Sequence, residues 1–262
     1  MLKHWKIWLS CIFAIALLGG GFVAGLWAST QELVAKTFIE PRLNARSSAK
    51  RAREQAADKM WADRLIKGGY IIHLRHAQRE KWRDSAAFDA VELSSGINAS
   101  KSSFAKATCL TPQGVEEAKL IGRVFEIAKL QVSKVYSSPS CRAWQTALHA
   151  FGPDYTVDNS LLNRSAMIPS ERTGFARQLR NLILNAEIKA GTNIVLTGHG
   201  ATLEWDGKIG LDENQMIRRK PRYETGFFVL ERVEGKIIAR YKFSSLRDFS
   251  TVTVSLPLSS GQ

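Results

Sequence analysis

Two short apolar runs, each closed by a histidine, constrain the fold of this 262-residue chain more than any other feature. The first, YIIHLRHAQR, holds Tyr70, Ile71, Ile72 and Leu74 behind Gly68 and Gly69 and reads as a buried strand that ends at His76. The second, TNIVLTGHG, ends the same way at His199. Helix-type and strand-type patterns alternate through residues 68–262, which predicts an α/β sheet with helices on its faces. Ligands of open α/β sheets bind in the crevice beyond the carboxyl ends of the strands, so Arg75, His76 and Arg79 are expected to project into it.

The intervening segments fit that scheme. Thr111 is placed to cap a helix with Pro112 in its first turn, and Val115, Ala118, Leu120, Ile121, Val124 and Phe125 supply its buried stripe. KVYSS, Lys134 to Ser138, reads as a short strand entering a turn at Pro139. The helix CRAWQTALHAF follows at once, placing Arg142 in a first turn whose backbone N–H groups already favour an anion. A further helix is expected over Gly174 to Ile188, and FFVLERVEGKIIARYKF reads as a hairpin across Glu234 and Gly235. Strand alternation sends His73 to the face opposite Leu74, and both His73 and the helix-borne His149 read as structural.

The N-terminal quarter is of another kind. From Ile7 to Trp27 the chain runs without a charged residue after Lys3 and Lys6, long enough for a membrane span of ~20 residues. Residues 1–28 therefore read as a transmembrane anchor, with a signal cleaved after Gly25 as the alternative. Residues 29–67 are Ala-rich, charged and helical in pattern, a tether stopped by Gly68, with Lys50, Arg51 and Arg53 as a basic face able to meet anionic headgroups. The remaining 68–262 form one domain. The formal net charge is +13, yet residues 1–67 alone hold 11 basic and 5 acidic side chains, so nearly half the surplus lies outside that domain. No zinc-ligand spacing, RNA-binding aromatic signature or strong helix-turn-helix pattern accompanies the charge, which argues against a nucleic-acid partner. Anionic substrates or lipid headgroups explain it more simply.

Four blocks, LRHAQR, CLTPQGVEEAKLIGRVF, VYSSPSCRAWQTA and NIVLTGHG, together resemble the histidine phosphatase superfamily, the phosphoglycerate-mutase-like branch. They occur in that family's order and span nearly all of Tyr70 to Phe243. The resemblance implies a three-layer α/β/α sandwich with a mostly parallel sheet, no cofactor and no metal. It implies that His76 takes the phosphoryl group as a phosphohistidine, while Arg75, Arg142 and His199 grip its oxygens, a task suited to guanidinium forks. Arg79 keeps the spacing of a further phosphate-binding arginine. Two departures stand out. Ala77 replaces the glycine usual after the catalytic histidine, and Asn163 in LLNR stands where relatives carry a glutamate proton donor. Glu171 is then the candidate acid, with Glu204 behind it.

An intramolecular mutase is disfavoured by that loss. The N-terminal segment with RHA and CLT resembles, more loosely, envelope phosphatases acting on lipopolysaccharide core heptose phosphate, which implies a phosphorylated small-molecule or glycan substrate and an extracytoplasmic domain. A protein phosphohistidine phosphatase and a catalytically inactive phospho-ligand module are the other readings. Cys109 and Cys141 fall on two elements that border the site in the family fold. They are either buried thiols or a bridge that pins the turn presenting Arg142 and requires an oxidising compartment.

Overall fold

In a computed structural model the chain is described over residues 40–80, 109–163, 169–200, 202–203 and 223–254. Contacts divide it into 1–54 and 55–262. The expected span at 7–27 lies outside the described residues, among which no helix is long and apolar enough to cross a membrane.

Helix α1 covers Glu40–Lys67 and ends as expected at Gly68, whose φ of 83° lets its N–H return to the Leu65 carbonyl at 3.0 Å. The compact unit begins at Gln55, however, and not at Gly68. The reason is one apolar stripe carried by a charged helix: Trp61, Ala62 and Leu65 are buried in the main core. Trp61 stacks on Tyr241 with centroids 5.8 Å apart and meets Tyr70 edge-on at 6.0 Å. The Tyr241 hydroxyl donates to Asp58, and Asn193 Nδ2 donates to the Leu65 carbonyl, at 2.9 and 2.8 Å. The last turns of the tether are thus part of the domain. Trp61→Ala in the full chain is expected to cost about 3–5 kcal/mol, read as a lowered urea midpoint; an unchanged midpoint would return residues 55–67 to the role of a spacer.

The sheet is built from β1 (Ile71–Arg75), β2 (Val132–Ser137), β3 (Thr156–Val157), β4 (Asn193–Gly198), β5 (Phe227–Val233) and β6 (Lys236–Phe243), in the order β3-β2-β4-β1-β5-β6. The three pairings β3-β2, β2-β4 and β4-β1 are parallel, while β5 and β6 add two antiparallel ones. The sheet is therefore mixed, a correction to the mostly parallel expectation, because the C-terminal hairpin joins its edge. Glu234 and Gly235 form the expected two-residue turn, with φ of 50° and 73°, the type I′ geometry that suits strand twist.

Alternation along the strands divides two cores. Ile72, Leu74, Val135, Val195, Phe227 and Val229 face the end of α1 together with α2 (Pro112–Ile127), α3 (Cys141–Phe151) and α5 (Leu246–Thr253). Ile71, Ile194, Leu196, Phe228 and Leu230 face α4 (Pro169–Asn185) through Leu179 and Ile183. α4 begins and ends earlier than expected, and Leu120 of α2 is 45% exposed instead of buried. The α2 stripe closes without Leu120, on Gly114, Ala118, Ile121, Val124 and Phe125.

Candidate active site

The parallel pairing of β1 with β4 matches Arg75 to Gly198, so the residues that follow, His76 and His199, leave adjacent strands at the same edge. His76 N–H donates to the Gly198 carbonyl at 3.0 Å, and the two imidazole centroids are 5.5 Å apart. On the other side of β4, Ser138 N–H donates to the Thr197 carbonyl at 2.9 Å. The chain then turns into α3 with Arg142 in its first turn. His76, Arg142 and His199 are all buried, Arg142 with only 1% of its surface exposed.

Hydrogen bonding assigns the tautomers. The Ala77 carbonyl can only accept, so His76 Nδ1, 2.8 Å away, carries the hydrogen and Nε2 keeps its lone pair. The Arg142 guanidinium can only donate, so His199 Nδ1, at 3.1 Å, accepts, and its Nε2–H points to Ser138 Oγ at 3.2 Å. Burial, first, and then the Arg142 charge hold both imidazoles well below the ordinary value of 6.5. Arg75 and Arg79 also push His76 down, against the Ala77 bond, which raises it. Arg79 sits where residue 79 bridges Leu110 in antiparallel fashion, and its guanidinium donates to the Glu80 carbonyl. Arg75 forms an ion pair with Glu224 at 3.8 Å, each side chain 19% exposed.

The loop after His76 is held by side chains that carried no sequence signal of their own. Thr146 Oγ1 accepts from Ala77 N–H at 3.0 Å and donates to the Arg142 carbonyl at 2.7 Å, tying the loop after His76 to the turn that carries Arg142. Glu117 Oε2 accepts from Gln78 N–H at 3.0 Å, and Gln145 Oε1 from Leu110 N–H at 2.8 Å. Gly114 is required here: a Cβ would lie 1.9 Å from the Gln78 carbonyl oxygen, so α2 approaches the loop at backbone distance. Ala77 stands outside the left-handed region, which explains why a methyl is accepted where relatives carry glycine.

Cys109 and Cys141 form a disulfide, Cα atoms 4.7 Å apart, buried with Trp144 against it. It fixes the residue beside Arg142 to the start of α2. The bridge closes about thirty residues, worth roughly 3 kcal/mol in the chain-entropy model. Protein isolated without reductant is expected to have a mass about 2 Da below the reduced form; two alkylatable thiols in the native chain would refute it.

The structure thus brings His76, Arg142 and His199 into direct register, with Arg75 and Arg79 beside them. Glu171 falls in the first turn of α4, and its side chain lies outside the described residues, as do Glu204 and the run 217–222. Glu224 went unnoticed in the sequence because no periodicity or motif marks the residues before β5. His73 is buried on the opposite sheet face, against Phe228. Among the described residues no group of three or more His, Cys, Asp or Glu is placed to hold a metal ion.

The sequence model of the histidine phosphatase superfamily (branch 1) matches residues 71–168. No curated protein matches the chain. Similar solved structures include a phosphoserine phosphatase of Entamoeba histolytica in complex with 3-phosphoglyceric acid, at 16% identity and a TM-score of 0.43, covering 69% of this chain and 98% of that one. The protein histidine phosphatase SixA complexed with tungstate matches at 14% identity and a TM-score of 0.41, covering 68% and 98%. A mycobacterial glucosyl-3-phosphoglycerate phosphatase matches at 15% and 0.40, covering 62% and 90%. The family match runs from β1 past α3 and takes in His76 and Arg142, while His199, which meets them at the carboxyl edge of the sheet, lies beyond it.

Proposed function

We propose that this phosphatase hydrolyses a phosphomonoester through a phosphohistidine on Nε2 of His76, and that its substrate is an envelope sugar phosphate met outside the cytoplasm. The observation that carries the mechanism is the bond from His76 Nδ1–H to the Ala77 carbonyl at 2.8 Å. It fixes the tautomer whose Nε2 lone pair is free to attack, and burial keeps that nitrogen unprotonated.

In the first step Nε2 forms a bond to phosphorus and the bond from phosphorus to the leaving oxygen breaks, that oxygen taking a proton. Arg142, Arg75 and Arg79 stabilise the charge spread over the remaining oxygens, and His199, which accepts from Arg142 and donates to Ser138, orients the Arg142 fork. In the second step water attacks phosphorus, the bond to Nε2 breaks, and inorganic phosphate leaves with the neutral imidazole restored. The buried disulfide and the uncharged run at 7–27 support an oxidising compartment outside the membrane. The full chain in detergent, assayed against sugar phosphates, a phosphohistidine peptide and an aryl phosphate, tests the reading. Highest kcat/KM on a sugar phosphate is expected. Preference for the phosphohistidine peptide would move the substrate class, and vanadate binding without turnover of any of them would make the domain a phospho-ligand module.

A further inference from the structure

An alkyl or sugar phosphate cannot leave from phosphorus at a useful rate unless its oxygen is protonated as the bond breaks. Histidine 76 is the nucleophile and has no proton to give at Nε2, and the surrounding guanidinium groups hold theirs too tightly. A carboxyl group is needed at the rim of the anion pocket, and Asn163 supplies none.

Among the described residues two carboxylates, Glu117 and Glu224, border the loop after His76. Glu117 is engaged at both oxygens, accepting from Gln78 N–H at 3.0 Å and from Gln113 Nε2 at 3.4 Å. Glu224 is placed differently. Its Oε1 lies 3.8 Å from the Arg75 guanidinium, and the pair is only partly screened from solvent. The turn that carries it is stitched to the nucleophile's backbone twice: Thr225 N–H donates to the His76 carbonyl at 3.2 Å, and Arg75 N–H donates to the Gly226 carbonyl at 3.0 Å. Between these bonds Thr225 is held at a φ of 68°, in a region where a β-branched side chain is a genuine outlier. Strain of this kind persists where surrounding structure over-determines it, and it gathers at functional sites. Glu224, Thr225 and Gln78 also line a cleft of about 960 Å³ together with residues of α2 and α5. Glu224 therefore both pairs with Arg75 and lines a space large enough for more of a substrate.

We propose that Glu224 is a catalytic residue, the proton donor to the leaving oxygen in the first step and the acceptor of the attacking water's proton in the second. The proposal rests on the phosphatase reading and deepens it. In the structure Arg75 pairs with the carboxylate. An arriving phosphate dianion claims Arg75 for its own oxygens, and its like charge beside Glu224 favours the protonated acid. As Nε2 bonds to phosphorus the proton passes from Glu224 to the departing oxygen, which leaves as the alcohol. The carboxylate then removes one proton from water as water's oxygen attacks the phosphohistidine, which returns Glu224 to its acid form and releases phosphate.

Glu224→Gln in the full chain, assayed by kcat/KM on two substrates, tests this. On glycerol 2-phosphate, whose alkoxide must be protonated, a loss of about 10²- to 10³-fold is expected. On 2,4-dinitrophenyl phosphate, whose anion leaves unaided, the loss should stay within about threefold, and turnover there also shows that the variant is folded. Glu224→Asp should recover part of the glycerol phosphate activity. Equal losses on both substrates would reduce Glu224 to a partner of Arg75 and overturn the proposal, as would the same substrate split appearing in Glu171→Gln and not in Glu224→Gln. Wild-type protein inactive on both substrates would overturn the phosphatase reading itself, and this assignment with it.

Discussion

His76→Ala is expected to remove turnover of every phosphomonoester, by at least about 10³-fold, while the domain stays folded. Among the described residues no other side chain is placed to take the phosphoryl group at this strand end. Its neighbours are guanidinium groups, and His199 is committed at both ring nitrogens, to Arg142 and to Ser138. Phosphate trapped on the wild-type chain by acid quench should be absent from the variant. Activity within about tenfold of wild type would rule out a phosphohistidine at this position. The same variant reports on stability. Both imidazoles are held well below 6.5 by burial and by Arg142, so as pH falls through that value the unfolded chain takes up protons that the folded chain refuses. Stability is then fully present above the unfolded value and declines below it. Removing His76 should make that acid decline shallower in urea titrations at pH 5 to 7.

Arg142→Met should weaken inhibition by vanadate about 100-fold or more and lower kcat/KM by roughly 10²- to 10³-fold, the size seen when one oxyanion donor is removed. The side chain is among the most buried in the protein and donates to His199, so its loss removes a preorganised donor and releases the second imidazole. Methionine fills similar volume without leaving a charge buried, and exchanging a buried charge for an apolar group of like shape is often tolerated or stabilising. An unchanged or raised melting temperature is therefore expected beside the lost affinity. Vanadate inhibition equal to wild type would exclude Arg142 from the anion pocket.

The positions of these residues were legible in the sequence to an unequal degree. His76, His199 and Arg142 each close or open an element whose period is visible locally, and the structure brings those three together. The Thr111 cap, accepting from Gly114 N–H at 3.0 Å, the helix Cys141–Phe151 and the turn at Glu234 and Gly235 follow from backbone chemistry that the residue types dictate. Leu120 misled because its spacing fits the buried stripe although its side chain stands at the stripe's exposed margin. Gly114 carries no local mark of its role, and only the approach of the Gln78 carbonyl shows why no Cβ can stand there.

What the sequence by itself determined was most of the elements and the residue types that close β1 and β4 and open α3, since hydrophobic period and capping are properties of a few consecutive residues. The tertiary structure decided everything that depends on which elements become neighbours. It set β4 beside β1, so that two histidines far apart in the chain leave the sheet 5.5 Å from one another. It brought Cys109 to Cys141, carried Trp61 of the charged helix into the core, and placed Glu224 against Arg75. Such contacts are fixed by the burial of whole faces and by strand order. Neither leaves a mark in the few residues around any one of the partners.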